Sequence, residues 1–320
     1  MLFFQLFLRN YRLIDQFLNK SMGITQLTGL LFLIFCLLFP FFGLSNHANA
    51  ASNYYKENQI SESLKKTEPA DSIVWLKTGE NRDILALNTR SQTADLQGGV
   101  IILADLYQSP DWPVIVDGLR KRLPVFGWET LSLQLPVPVI SPSKPEMDQL
   151  YLLTQKRIEA AISYFKNKNI GNIVLVGISQ SANFSIKYVE SLPKDSTDLQ
   201  ALIFVRAYDS DWLDSSSLIR NIPLPTLDII PQHDSKKVLN SAKKRITAAN
   251  FAGKLSKNPK ISHLSAKVRE LAANKTGNLR YRQEIINAAN FQFKKQETEL
   301  FKVIRGWLSV YAAGTELTVD

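Results

Sequence analysis

Three short, unbroken apolar runs punctuate the chain: Gly99–Ala104 (GVIILA), Asn172–Val176 (NIVLV) and Ala201–Val205 (ALIFV). Runs of this length, bounded by turn residues, predict strands buried on both faces. Glu129–Leu135 and Thr226–Ile230 predict two more strands, and Leu279–Ile286 a last one. Ser72–Lys77 and Asp83–Asn88 read as a hairpin around Gly79. Helical patterns lie between the strands. Ser109-Pro110 is an N-cap followed by proline at the first helical position, predicting a helix to about Pro124 that stops at Gly127. Ser143 and Glu146 form a capping-box pattern, opening a helix that buries Ile158, Ala161, Ile162 and Phe165 on one stripe. Helices are expected over 181–191, 236–252 and 263–273. The last helix places Leu300, Val303, Ile304, Trp307, Leu308 and Tyr311 on one face. Strands alternating with helices predict an α/β fold: a largely parallel, twisted sheet with helices on both faces, over 72–320. Residues 51–71 are polar and unpatterned, and are expected to be a flexible lead-in.

The first fifty residues follow a different logic. Leu30–Phe42 is wholly apolar, Arg9, Arg12 and Lys20 precede it, and Ala48-Asn49-Ala50 follows as a small-x-small site. This is the layout of a secretory signal peptide, with an uncleaved inner-membrane anchor as the alternative. Either way the body is expected outside the cytoplasm, in the periplasm. The single cysteine, Cys36, lies within the apolar run. Without the leader the chain has no thiol, which suits an oxidising compartment and excludes a disulfide framework or a cysteine-based zinc site.

The formal charge of +9 is concentrated: residues 243–305 hold fifteen Lys or Arg against four Glu. An exported protein meets little nucleic acid, so the expected partner of this segment is a membrane or envelope surface, not nucleic acid. Solvated helix faces account for the same charge more plainly. No dinucleotide, metal or haem pattern is present, and no cofactor is expected. Gly98-Gly99 precedes a strand instead of following one.

The NIVLV strand runs into Gly177-Ile178-Ser179-Gln180-Ser181 and then a helix. A strand ending in G-x-S-x-small and turning sharply into a helix is the context of a nucleophile elbow, in which small neighbours let the turn lift a serine clear of the sheet. A helix N-terminus that merely favours serine gives the same letters. Together with the segment GGVIILADLYQSPDWPVIVDGLRKRLPVFGWETLSLQLPVP and the tail YRQEIINAANFQFKKQETELFKVIRGWL, this region resembles the α/β-hydrolase superfamily. More narrowly, it is similar to a family of bacterial envelope proteins of that fold, classed as a domain of unknown function.

The resemblance implies roles. The nucleophile maps to Ser179, and the backbone oxyanion donors to Gln180 and Leu106. The acid maps to Asp234 after the strand beginning Pro225-Thr226-Leu227, with Asp228 inside that strand as the poorer choice. Two departures stand against it. Asp105 occupies the oxyanion strand end, where a carboxylate would oppose an oxyanion. The loop Asn287–Phe293 holds no histidine, and Asn290 stands where the base is expected, leaving that position vacated. His233, beside Asp234, is the nearest candidate base; His263 lies in the basic stretch. Two function classes follow: a serine hydrolase of esterase or acyl-transfer type with an incomplete triad, or a catalytically inactive hydrolase-fold protein binding a small molecule, lipid or glycan.

Overall fold

A computed structural model describes residues 52–80, 82–193, 195–255 and 281–312. The expected leader over 1–50 and the basic helix over 263–273, with His263, lie outside the described residues. Eight strands form one sheet: β1 (Ile73–Leu76), β2 (Ile84–Thr89), β3 (Gly98–Leu103), β4 (Trp128–Leu133), β5 (Ile173–Ile178), β6 (Ala201–Val205), β7 (Thr226–His233) and β8 (Tyr281–Asn290). Their spatial order is β1-β2-β4-β3-β5-β6-β7-β8. β1 and β2 pair antiparallel, β2 pairs antiparallel with β4, and the other pairs are parallel.

The apolar runs are continuous because both faces are covered. In β3, Ile101 and Leu103 face one cluster with α3 (Lys144–Asn167) and α4 (Gln180–Ser191), while Val100 and Ile102 face the other. That second cluster is closed by α2 (Val116–Arg122) and α7 (Glu297–Tyr311), through Val116, Leu119, Leu300, Ile304, Trp307 and Leu308. The same alternation splits β5 and β6 between the two clusters. The capping box at Ser143 and Glu146 forms, and Gly127 ends its turn in the left-handed region at φ +84°.

Three sequence expectations need correction. The lead-in is structured: α1 (Tyr54–Thr67) turns a buried edge of Glu57, Ser61 and Leu64 toward the domain. Glu57 meets Arg82 and Arg157, and Gln134 donates to the Glu57 carbonyl at 2.7 Å. The inward edge of α1 mixes Glu57 and Ser61 with Ile60 and Leu64, so only one apolar pair is left to read. The helix expected from Ser109 starts only at Val116, because Pro113 has no N–H to donate and Val114 adopts φ +73°. β8 runs on to Asn290, past the loop expected from Asn287, with a bulge against β7 between Pro231 and His233. α5 (Ser215–Ile219) and α6 (Lys236–Leu255) complete the fold. Within α6, Arg245 is fully buried on Asp228, so at least one cation of the basic segment is no solvated charge. No helix among the described residues is long and apolar enough to cross a membrane.

Candidate functional site

β5 ends at Ile178, and Ser179 sits at φ +54°, ψ −114°, a conformation that L-residues rarely adopt. The turn closes because Gly177 has no side chain: a Cβ there would lie 2.4 Å from Ser185 Oγ and 2.7 Å from Ala182 Cα. Ser181 explains itself at the position that usually takes a second glycine. Its hydroxyl lies 2.9 Å from the carbonyls of Leu103 and Ile178 and accepts the Ile178 N–H at 2.9 Å, pinning the elbow to β3.

Around Ser179 three expected residues assemble. The N–H groups of Gln180 and Leu106 converge, but on a single internal acceptor. Oδ1 of Asp105 takes the first at 3.1 Å and the second at 2.9 Å. The position two backbone donors would offer to an oxyanion is therefore filled by the chain's own carboxylate. Burial pushes the Asp105 carboxyl above the usual aspartate range; the two N–H groups, the Arg206 charge and the Ser179 hydroxyl pull in the opposite direction without reversing the shift. Burial, aided by the Asp105 charge, also moves the Tyr208 phenol up to about 12.

Asp234 is also in place, yet its partner is neither His233 nor Asn290. Arg206, the first residue after β6, adopts φ +59° and aims its guanidinium into the gap. Nη1 donates to Ser179 Oγ at 2.9 Å, Nη2 donates to Asp234 Oδ1 at 3.0 Å, and Nε donates to Oδ2. The chain of contacts is Ser179–Arg206–Asp234, with arginine bridging serine and acid. His233 is exposed at the end of β7, across the register from Asn290, and Ser179 makes no hydrogen bond to it. Asn290 is exposed and accepts the Gln292 N–H at 3.0 Å. The residue of that loop that reaches the site is its neighbour Phe291, whose ring centre lies 5.6 Å from the Arg206 guanidinium carbon. Asp228 is committed elsewhere, to Arg245, Tyr281 and Gln283. Sequence reasoning missed Arg206; nothing in ALIFVRAYD marks it, and its role appears only when β6 and β7 lie side by side.

What this arrangement can do is limited. Arginine stays protonated at any workable pH, so it donates to Ser179 and cannot take its proton. A carboxylate in the donor pair repels the negative charge that acyl transfer develops. Ser179 is only 2% exposed. Asp105→Asn keeps an acceptor for both N–H groups and removes the titration. In the wild type, a folded-state carboxyl held above its unfolded value adds stability at low pH that is lost as pH rises through the folded value. The stability of Asp105→Asn relative to wild type is therefore expected to increase with pH from about 4 upward and then level off. Urea unfolding across that range checks it.

A family model described as "Protein of unknown function (DUF3530)" matches residues 43–149 and 147–256. Among solved structures, the chain is similar to an α/β serine hydrolase homologue from Coxiella burnetii, with TM-score 0.52 and 14% identity over 74% of this chain and 98% of that one. The esterase domain of a Rhodothermus marinus protein gives TM-score 0.51 and 10% identity, over 75% and 99%. A dienelactone hydrolase from Anabaena variabilis gives 0.51 and 15%, over 75% and 97%. No curated protein matches the chain. Together with the strand order, these likenesses establish the α/β-hydrolase fold; at such identities they carry no chemistry.

Proposed function

The chain belongs to the DUF3530 family, and we propose that it uses the α/β-hydrolase fold to bind a ligand in the cell envelope without hydrolysing it. One observation carries the reading. Asp105 Oδ1 accepts both backbone N–H groups that a hydrolase would keep free for its oxyanion. Losing one such donor alone costs about 10²–10³ in rate, and here both are occupied by an acceptor of the wrong sign. Arg206 adds a second block by tying up the Ser179 oxygen with a cation that accepts no proton. The surroundings suit a ligand with apolar faces, such as an acyl chain or a sugar ring: Tyr107 and Phe291 are exposed, and Tyr208 sits close enough to feel the Asp105 charge. The leader layout, Ala48-Asn49-Ala50 after an apolar run, supports export to the periplasm, cleaved or anchored.

A second reading, a serine hydrolase, is favoured by the strained backbone at Ser179, a geometry typical of an elbow nucleophile. Ester hydrolysis separates the two. Wild type and Ser179→Ala are expected to release p-nitrophenol from short-chain esters at the same background rate. A rate in wild type that Ser179→Ala abolishes would support the hydrolase instead.

A further inference from the structure

Far from Ser179 the fold carries an exposed apolar tip flanked by two arginines. It is built by two neighbouring connections, the β2–β3 loop and the turn between α2 and β4. Gln92 N–H donates to the Pro124 carbonyl at 2.9 Å and Gln97 N–H to the Gly127 carbonyl at 2.8 Å, which places the loop beside the turn. Their approach is close enough that a Cβ on Gly127 would lie 2.5 Å from the Asp95 carbonyl. At the tip Leu96 is 46% exposed, Val125 50% and Phe126 40%. Phe126 meets Phe301 of α7 at 5.7 Å between ring centres. Two guanidiniums lie over these rings, Arg305 at 4.7 Å from the Phe126 centre and Arg122 at 5.8 Å from that of Phe301. Both arginines are exposed, and neither forms an ion pair among the described residues. The acids nearby are largely committed: Asp117 to Arg120 and Lys121, and Glu299 to Lys302 at 3.9 Å. Asp95 is exposed.

We propose that this tip docks on an anionic lipid surface. Apolar side chains flanked by arginines match the interfacial layer of a bilayer, where rings and aliphatic groups enter the acyl boundary and guanidiniums stay at the phosphates. Arginines with no ion pair among the described residues are drawn to negative headgroups, and bidentate donors suit phosphate oxygens. Both connections enter their parallel strands from the N-terminal end, whereas Ser179 follows the C-terminal end of β5, parallel to β3. Docking therefore leaves the Ser179 edge turned away from the lipid. The proposal is independent of whether that site turns over an ester.

The test uses the full chain with Cys36→Ser and Val125→Cys, carrying an environment-sensitive NBD label. Ile140→Cys, 88% exposed at the C-terminal edge of the sheet, is the comparison site and Leu96→Cys a second tip position. The leader is common to all of them, so each label is read as its difference between the two vesicle types. On phosphatidylglycerol vesicles at low salt, tip labels are expected to blue-shift and brighten severalfold. They should stay in water on phosphatidylcholine vesicles, and the Ile140 label should stay in water on both. Arg122→Glu with Arg305→Glu, or 0.5 M salt (a Debye length of about 4 Å), should remove most of the shift. Tip labels unmoved by phosphatidylglycerol, moved equally by phosphatidylcholine, matched by the Ile140 label, or indifferent to the arginine changes would overturn it. So would a soluble polyanion, dextran sulfate, producing the same shift without vesicles.

Discussion

Imidazole in solution is expected to switch on ester hydrolysis in the double variant Asp105→Gly with Arg206→Ala. The glycine frees the N–H groups of Gln180 and Leu106 from the carboxylate that holds them at 3.1 and 2.9 Å. The alanine empties the space between Ser179 Oγ and Asp234 that the guanidinium fills. An imidazole entering that space finds a hydroxyl on one side and a buried carboxylate on the other, the pair of contacts a general base needs. A positioned base contributes about 10²–10⁴, so the gain over the same chain without imidazole should reach about 10²-fold once free imidazole's own reaction is subtracted. Neither single variant should respond: Asp105→Gly retains the arginine, and Arg206→Ala retains the misplaced carboxylate. Such non-additivity is the signature of groups acting as a unit. Ser179→Ala or Asp234→Ala in the double variant should return the rate to background. A folded double variant that stays inert at saturating imidazole would mean that Ser179 is not poised to attack.

The largest expected loss of stability follows from cutting the buried ion pair between β7 and α6. Asp228 and Arg245 are both fully buried. Arg245 Nε donates to Asp228 Oδ2 at 2.9 Å and Nη2 to Oδ1 at 3.2 Å, while Tyr281 and Gln283 also donate to Oδ2. Removing the cation leaves a fully buried carboxylate held by the neutral donors Tyr281 and Gln283, at a cost of about 3–5 kcal/mol. Arg245→Met should lose that much in urea unfolding followed by tryptophan fluorescence. Adding Asp228→Asn removes the stranded charge while keeping an acceptor for Tyr281, and should recover most of the loss. A cost below about 1 kcal/mol for Arg245→Met would mean that the pair is not buried as described.

The sheet was legible in the sequence because strands covered on both faces become continuous apolar runs, and GVIILA, NIVLV and ALIFV have no other good use. The elbow was legible for the same reason, since Gly177 and Ser179 follow directly on such a run. Asp105 is legible as a departure, although its consequence, a carboxylate seated on both backbone donors, depends on the approach of β3 to β5. What stayed hidden depends on contacts distant in sequence or on polar packing. Arg206 and Asp234 are 28 positions apart and meet because their strands are neighbours. The helix over Tyr54–Thr67 hides because Glu57 and Ser61 face inward onto Arg157 and Gln134, leaving Ile60 and Leu64 as a single apolar pair. The site loop was misplaced because β8 runs longer than its apolar part and carries a bulge, so that Phe291, not Asn290, faces Arg206.

In the proposed reading Ser179 is held in an elbow but disarmed by Asp105 and Arg206. Intact-mass measurement of the wild-type protein after exposure to a fluorophosphonate probe tests it most directly. The expected result is an unmodified mass, indistinguishable from Ser179→Ala under the same conditions. A rapid, stoichiometric adduct that maps to Ser179 and vanishes in Ser179→Ala would contradict it.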